Sequence, residues 1–426
     1  MTLKQAQQSQ DDVTFSDIVW LQFKKNRVAY LALWALAFLF ILAICAPIIA
    51  SDRAFYWAEG GETYFPWFTS LFDDNYFENG VDKFFNLLLV LGMPLLAIWL
   101  IAVKRIQSFG LSKRIRRAKM KRFAKLLSAF FGLCFIFILA NPQGRANQHN
   151  YEDYLKATKG SASAVSAVFP PIKHGFARQV LPDKLRDPSM LEVCTDKLKA
   201  RDGCAGYALG TDSVGRDVLV RMLYGIRIAL SVGVIAVGIY VTIGIFIGAF
   251  AGYFRGRVDM IIQRVIEIFM AVPTLIVILV LISFIDKPSI FHIMLVIGLF
   301  RWTGVARLVR GEFYRLRNLD FVTSAIALGF STRRIIFQHI LPNALGPVLV
   351  AATFGVAAAI LIESSLSFLG LGDVNVPSWG QTLRDGYLTR KWHLILIPGT
   401  AIFITVTLLN LVGEGLRDAL DPKMRK

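Results

Sequence analysis

Few residues in this sequence carry a charge or the reactive side chains of an enzyme. Of 426 residues only 18% are charged, whereas ordinary globular domains carry about a quarter. There are four Cys and five His, without the Cys-x-x-Cys or His-x-x-Glu-His spacing of a metal site. The Gly-Lys-Ser/Thr loop that cradles ATP and the Gly-x-Ser-x-Gly elbow of hydrolases are also missing. The sequence therefore predicts no metal, no cofactor bound by this chain and no catalytic residues.

The sequence is instead rich in long apolar runs. Hydrophobic residues make up 55% of the chain, and several runs approach the roughly 20 residues that cross a bilayer as a helix. The run from Ile228 to Ala251 contains no charge at all, so it lacks the polar face of a soluble helix. The first 28 residues are polar, and we expect the first span to be a retained anchor. About eight spans are predicted, near 29–49, 84–103, 126–140, 228–252, 261–285, 291–309, 344–369 and 394–412.

The net charge of +17 is unevenly distributed along the chain. Residues 104–125 hold ten Lys or Arg and no acid, between two apolar runs, where the positive-inside rule expects a cytoplasmic loop. A nucleic-acid patch is the alternative, but no aromatic stacking platform interleaves the charges. Under either interpretation we expect some attraction to anionic lipid headgroups.

The same rule fixes the predicted topology. If the amino terminus is inside, the inner segments hold 27 of the 47 basic residues when the fourth is counted from Arg301. Both termini are therefore expected to be cytoplasmic. The inner segments are 1–28, 104–125, 253–260, 310–343 and 413–426.

Two long segments, 51–83 and 141–225, are then expected to face outward. The second is the largest polar portion, and its prolines argue against long helices. It contains Cys194 and Cys204, for which a disulfide closing a short loop and two free thiols are both open. The remaining two cysteines lie in spans, where small apolar packing roles are expected.

Two features within the spans have alternative interpretations. Glu363 lies in the seventh apolar run, where a carboxylate costs roughly 2 to 3 kcal/mol or more. It either lines or gates a pathway or makes a structural hydrogen bond to a neighbouring helix. Gly244, Gly248 and Gly252 are spaced four apart, so they predict close helix packing, either within the subunit or against a partner.

The predicted inner segment 310–343 is long for a connection and alternates apolar and basic stretches. Gly329 interrupts a helical pattern that begins near Phe321, and Pro342 with Asn343 ends the following pattern. Two short helices around a glycine turn would present a compact apolar and basic knob, suited to a groove on another protein.

This segment resembles the EAA loop of bacterial ABC importer permeases. That pattern is Glu-Ala-Ala, three residues, Gly and then Leu-Pro after about a dozen more. Here the Glu and the first Ala are replaced, so the ion pair that the family makes through its Glu is absent or moved. The matching positions are Thr323, Ser324, Ala325, Gly329, Leu341 and Pro342.

The carboxyl-terminal half resembles one subgroup, the C-type permeases of oligopeptide and dipeptide importers. Two features of the amino-terminal half also resemble known permeases. Asn26-Arg27 before the first span is typical of this subgroup, and Tyr64-Phe-Pro66 resembles the branch related to the Yej permeases. The subgroup has six spans, so the chain has an extra hairpin at about 84–140. The strings that carry the resemblance, in order over roughly 205–422, are Leu209 to Asp217, the 310–343 segment, Ser367 to Gly372, Pro377 to Gly380 and Gly413 to Pro422.

The resemblance implies an all-α polytopic membrane helix bundle with a MetI-like type I permease core, an extra amino-terminal hairpin and a large periplasmic loop. The implied organisation is a cytoplasmic 1–28, a membrane region 29–140, a periplasmic loop 141–225 and a permease domain 226–422 with its coupling loop at 310–343. It implies a permease subunit, not an enzyme, of an ATP-driven peptide importer in the bacterial inner membrane.

The implied partners are a B-type permease, two ABC ATPases that bind ATP and Mg, a periplasmic solute-binding protein and the lipid bilayer. The same architecture carrying nickel or a glycoside, a non-transporting assembly or receptor subunit, and a membrane enzyme are the alternatives. The residues expected to form the ATPase-coupling loop are Asp320, Thr323, Ser324, Ala325, Gly329, Arg333, Arg334, His339 and Pro342.

Overall fold

The computed structural model describes residues 15–108, 113–142, 144, 150–159, 165–189 and 206–421. Two compact units are present among these residues. The first comprises residues 39–228 and 375–377, and the second comprises 15–38, 229–374 and 378–421. Cys194 and Cys204 lie outside the described residues, so a disulfide between them and two free thiols both stay open.

Helices dominate both units, as the apolar runs predict. In chain order they are α1 (Phe15–Lys25), α2 (Arg27–Ile49), α3 (Pro66–Ser70), α4 (Gly80–Leu87), α5 (Met93–Ser108), α6 (Lys113–Ala140), α7 (Tyr151–Lys159), α8 (Val218–Phe254), α9 (Gly256–Ala271), α10 (Thr274–Ser283), α11 (Ile290–Phe300), α12 (Trp302–Leu316), α13 (Asp320–Ala327), α14 (Thr332–Arg334), α15 (Leu341–Phe368), α16 (Trp379–Thr389) and α17 (Trp392–Leu420). Two π-helical turns, Leu88–Gly92 and Ile335–Ile340, and a 3-10 turn, Leu181–Asp183, are the other helical elements among the described residues.

Seven of the described helical stretches are long and apolar enough to cross a membrane, and a bent pair raises the number to eight. Seven of the eight predicted spans overlap these seven stretches and the fifth overlaps the bent pair, so the predicted polytopic helix bundle is confirmed. The seven are Arg27–Ile49, Gly80–Ile106, Ala118–Ala140, Val218–Phe254, Ile290–Leu316, Thr332–Phe368 and Trp392–Leu420.

The bent pair corresponds to the predicted fifth span, which is broken. Helices α9 and α10 meet at an angle of 74°. Between them Val272 is extended, with φ −104° and ψ 133°, and Pro273 follows. Proline has no backbone N–H and disfavours a helical conformation at the residue before it. The uniform apolar run therefore folds as two helices rather than one.

A small sheet in the first unit is an addition to the predicted all-α fold. The strands are β1 (Tyr56–Glu59), β2 (Glu62–Tyr64) and β3 (Ser166–Val168), in the antiparallel order β2-β1-β3. Gly60 and Gly61 both have positive φ and form the two-residue hairpin turn. Strands of three or four residues leave no alternation long enough to be recognised in the sequence.

A buried arginine anchors the start of the inserted hairpin within the first unit. Arg227 on α8 is fully buried, and one guanidinium nitrogen donates to Asp82 Oδ1 and Asn86 Oδ1, each at 3.0 Å. Its Nε donates to the Ala43 carbonyl at 2.7 Å, and the guanidinium lies 5.3 Å from the ring centroid of Phe85. Since a buried charge needs an ion pair and hydrogen bonds to be tolerated, this cluster joins α4 to α2 and α8.

A partly buried hydrogen bond joins the two ends of the segment 51–83, which is predicted to face outward. Tyr76 donates to Asp52 at 2.6 Å, and burial followed by the Asp52 charge raises the pKa of Tyr76. The phenol therefore stays protonated and keeps donating over the physiological pH range.

Candidate coupling site

The segment that resembles the EAA loop begins with α13. We call residues 318–342 the coupling segment. Within α13 the side chains of Val322 and Ala325 are buried. They are three residues apart and therefore lie on the same face of the helix. Leu328, just beyond the helix, is 73% exposed. The large exposed apolar side chains of this part are Leu319, Phe321, Ile326 and Leu328. Several large exposed apolar side chains within ten residues are typical of a surface that contacts another protein.

Gly329 forms the turn that was predicted from the sequence. Its φ is +73°, which L side chains adopt only with strain. Its amide donates to the Ile326 carbonyl at 2.9 Å, and the Phe330 amide donates to the Ala325 carbonyl at 3.1 Å. This pair of bonds is the Schellman termination of a helix. The glycine therefore ends α13 and reverses the chain.

The prediction that Pro342 and Asn343 end the following helix is wrong. Residues Thr332–Phe368 run as one continuous helical stretch into the membrane. A π-helical turn at Ile335–Ile340 precedes Pro342 and shifts the hydrogen-bond register. Asn343 Nδ2 then donates to the His339 carbonyl at 2.7 Å. The missing proline N–H is accommodated, and the coupling segment is directly continuous with a span.

Two neighbouring arginines in the coupling segment differ in their surroundings. The Arg334 guanidinium lies 4.1 Å from the ring centroid of Phe330, and that ring lies 5.5 Å from the ring of His339. Arg333 and Arg334 are both exposed, so the ring contact of Arg334 is what distinguishes them. A cation held over an aromatic ring is restrained in position, whereas an exposed cation without such a contact samples many rotamers. Arg334 and His339 therefore shape the segment, and Arg333 is presented to solvent.

The remaining predicted residues of the segment lie on the exposed side of α13. Asp320 is in its first turn, where a carboxylate favourably faces the positive end of the helix dipole. Thr323 Oγ1 donates to the Asp320 carbonyl at 3.0 Å. Thr323, which stands where the family has Glu, and Ser324 are both exposed. These positions are available to a partner without unfolding the helix.

The regularly spaced glycines pack within this chain. A Cβ atom at Gly244 would lie 2.6 Å from Cβ of Val305, and one at Gly252 would lie 2.5 Å from Cβ of Phe313. Gly248 lies between them on the same face of α8. No side chain fits at these distances, so α8 and α12 approach through their backbones. Of the two interpretations left open, close packing within the subunit is the one observed.

A charged cluster that sequence reasoning missed joins α9 to α12. Arg310 donates to both carboxylate oxygens of Asp259, at 2.5 and 2.6 Å, and the Tyr314 hydroxyl donates to the same group at 2.7 Å. Arg255 lies 4.7 Å from the Tyr314 ring centroid. A bidentate guanidinium–carboxylate pair fixes both distance and orientation. The only sequence signal was charge at the edge of an apolar run, which is also typical of a solvated residue.

Glu363 is buried within the second unit. It is 2% exposed; Oε1 accepts from the hydroxyls of Ser367 and Ser378, each at 2.8 Å, and Oε2 accepts from Ser364 at 3.4 Å. Ser378 in turn accepts from the Gly380 amide as the N-cap of α16. The contacts match the structural interpretation of Glu363, a hydrogen-bonded carboxylate that joins α15 to α16.

The predicted residues do not all meet at one place. Pro342 and Glu363 lie on the same helical stretch, 21 residues apart, which corresponds to about 32 Å along a helix. Glu363 therefore belongs to a different part of the unit from the coupling segment. In the part of the chain that the structure describes, no group of three metal-ligating side chains occurs.

Comparison with known proteins places this architecture in a family. Residues 244–426 match the model of the binding-protein-dependent transport system inner membrane component. Residues 14–62 match the N-terminal TM domain of oligopeptide transport permease C. The inserted hairpin lies between the two matched ranges.

Similar whole proteins agree with these matches. The chain is 38% identical to the dipeptide transport system permease protein DppC of Bacillus subtilis, over 62% of this chain and 79% of the relative. It is 44% identical to the oligopeptide transport system permease protein OppC of Haemophilus influenzae, over 51% of this chain and 71% of the relative. A structure of the MetNI methionine ABC transporter in inward-facing conformations aligns with 47% of this chain and 96% of its own, at 16% identity and a TM-score of 0.41.

The spans, the coupling segment and these matches define a membrane permease component of an ABC importer. Within that class the chain belongs to the family of oligopeptide and dipeptide transport permeases of the C type. It is thus a multi-pass inner membrane protein. Permeases of this family are not enzymes themselves; they work with ATPase and solute-binding partners.

Proposed function

We propose that this chain forms, with one B-type permease, the path by which peptides cross the inner membrane, driven by two ATPases. ATP and Mg bind to those ATPases and not to this chain. The cargo class rests on the relatives, which are oligopeptide and dipeptide permeases. Both termini are cytoplasmic in this proposal, which places residues 104–125 and the coupling segment on the ATPase side.

The proposal rests on two properties of the coupling segment, its exposed apolar side chains and its continuity with a span. The segment exposes four large apolar side chains, the last of which is Leu328, and Gly329 then leads the chain into a helix continuous with a span. Covering an apolar side chain that is 73% exposed lowers the free energy of a complex. These side chains are therefore suited to a groove of an ATPase.

Force applied to the coupling segment has a direct route to the membrane. The segment follows α12. Helix α12 packs closely against α8, because no side chain fits at Gly244, Gly248 and Gly252. It also contacts α9 through the Arg310–Asp259 pair. Tightly packed helices move as rigid bodies rather than deforming. ATP-driven closure of the ATPases would thus displace α8, α9 and α12 together with the segment and change the opening of the path.

The roles of individual residues follow from exposure. Thr323, Ser324 and Arg333 are exposed and are the proposed polar contacts to the ATPase. Ala325 and His339 support the segment from within, because the first is buried and the second packs on Phe330.

Co-purification tests this proposal. The chain is expressed with its candidate ATPases, partner permease and binding protein, and three forms are compared: wild type, Leu328→Asp and the control Leu181→Asp. Leu181 is 64% exposed and lies in the segment that is predicted to face outward. We measure the ATPase that co-elutes and the ATP hydrolysis that binding protein and peptide stimulate.

We expect Leu328→Asp to weaken ATPase binding by at least about tenfold, as loss of a central apolar contact does, and to abolish stimulation. Leu181→Asp should behave like wild type. If wild type binds no ATPase, or if both variants weaken it equally, the proposed coupling function is wrong.

A further inference from the structure

The inserted hairpin carries a basic helix face that the peptide-transport function does not use. No Asp or Glu occurs between Asp82 and Glu152, whereas residues 104–125 hold ten Lys or Arg. Eight of the ten lie on α6, the helix Lys113–Ala140. The family models match residues 14–62 and 244–426, so this helix lies outside both.

The length of α6 sets the depth of its charges in a bilayer. Its charge-free stretch, 126–140, has 15 residues, which corresponds to about 22 Å at 1.5 Å per residue. The hydrocarbon core is about 30 Å thick. If α6 crosses the membrane, its last basic residue, Lys125, therefore lies at the level of the lipid phosphates or deeper toward the hydrocarbon. Such a residue extends its ammonium group toward the headgroups, or draws them inward.

Three basic side chains form one face at this depth. Lys125 follows Lys121 by four residues and Arg122 by three, so it is a neighbour of both on the helix surface, and all three are exposed. The apolar residues that follow, including Leu126 and Phe137 at 68% each, are exposed as well. None of the apolar window of this span is buried among the described residues. The face is therefore directed at lipid.

The counter-charge for this face is absent from the surrounding sequence and present in the membrane. Anionic phospholipids place a phosphate at the depth where the three cations lie, and each basic side chain near such a surface contributes about 1 kcal/mol of attraction. Zwitterionic headgroups offer a phosphate together with a competing cation. The charge of the face thus complements an anionic headgroup specifically.

We propose that Lys121, Arg122 and Lys125 form a binding surface for anionic phospholipid headgroups, through which the inserted hairpin is held at a fixed depth in the membrane. The surface requires only that α6 spans the bilayer. It stands whether or not the cargo is a peptide, and its test is independent of transport.

Native mass spectrometry of the purified full chain tests the surface. The protein in detergent is offered equal amounts of phosphatidylglycerol and phosphatidylcholine with the same acyl chains, and the ratio of the two in the first retained lipid is measured. The forms compared are wild type, Lys121→Gln/Lys125→Gln, the charge-preserving Lys121→Arg/Lys125→Arg, and the control Lys184→Gln/Lys287→Gln. The control removes two exposed lysines from elsewhere in the chain.

We expect wild type, the arginine pair and the control pair to retain phosphatidylglycerol preferentially. The glutamine pair should lose up to about 25-fold of that preference, from two basic side chains at about 1 kcal/mol each. The proposal is overturned if wild type shows no preference, if the glutamine pair keeps the full preference, or if the control pair loses as much as the glutamine pair.

Discussion

Replacing Asp82 by Ala should strongly destabilise the first unit, because it removes the charge that compensates Arg227. Arg227 is fully buried and Asp82 is 1% exposed, and their ion pair measures 3.0 Å. Breaking a buried pair from one side leaves an uncompensated charge and typically costs about 3–5 kcal/mol. At about 2–4 °C per kcal/mol for a domain of this size, the thermal midpoint should fall by about 6–20 °C.

Thermal unfolding in detergent, followed by fluorescence-detected size-exclusion chromatography, measures this midpoint. Asp82→Asn keeps an oxygen acceptor for the guanidinium and should cost less than Asp82→Ala. The double variant Asp82→Leu/Arg227→Met removes both charges and should recover much of the loss, since well-packed apolar replacements of a buried pair are often close to neutral. An unchanged midpoint in Asp82→Ala, or a double variant less stable than the single one, would refute the buried ion pair as the anchor of the hairpin.

Three further substitutions test the second unit. Gly248→Ala places a Cβ 2.8 Å from Cβ of Val309 and should lower the free energy of unfolding by about 1–3 kcal/mol. At the control position Gly238 nothing lies within 4 Å of an added Cβ, so Ala should be neutral or slightly stabilising there. Equal thermal midpoints for the two variants would contradict the close packing. Gly329→Ala forces a left-handed conformation on an L side chain at a cost of about 1–2 kcal/mol and should reduce peptide-stimulated ATP hydrolysis, while Gly311→Ala, also without neighbours, should not. Glu363→Gln should keep both stability and peptide uptake, and Glu363→Ala should lose about 1–3 kcal/mol because the serine hydroxyls lose their acceptor; a stable Gln variant without uptake would favour a pathway role.

The spans could be predicted because lipid imposes a strong and local constraint. A helix that crosses hydrocarbon must be largely apolar, so each run identifies a membrane segment without knowledge of its neighbours. The break of the fifth run at Pro273 did not follow from its hydropathy. The glycine turn at Gly329 was predictable because it too depends on a local constraint. A left-handed residue between two helical patterns depends on the residue itself and not on its tertiary surroundings.

Pairings between distant residues could not be predicted. Arg227 and Asp82 are 145 positions apart, and neither residue carries a local pattern that identifies the other. Asp259 and Arg310 present the same difficulty, since each was compatible with a solvated charge at a membrane edge. The register of β1 with β3 depends on a chain reversal of about a hundred residues, which no local periodicity encodes.

The helix end predicted at Pro342 shows how a local rule fails. Proline normally ends a helix because its nitrogen cannot donate to the preceding turn. Here the π-helical turn at Ile335–Ile340 changes which groups pair, and Asn343 supplies a side-chain donor to His339. The consequence is a continuous connection between the coupling segment and a span.

ATP-driven import by this chain can be measured as peptide uptake into proteoliposomes. The chain is reconstituted with its partner permease and ATPases, and a labelled peptide, the binding protein and ATP are supplied on the appropriate sides. We expect the peptide to accumulate only when ATP and binding protein are present. Leu328→Asp should abolish this proposed import, and Leu181→Asp should not. Accumulation that continues in Leu328→Asp at the wild-type rate, or no ATP-dependent uptake by the complete wild-type complex, would contradict it.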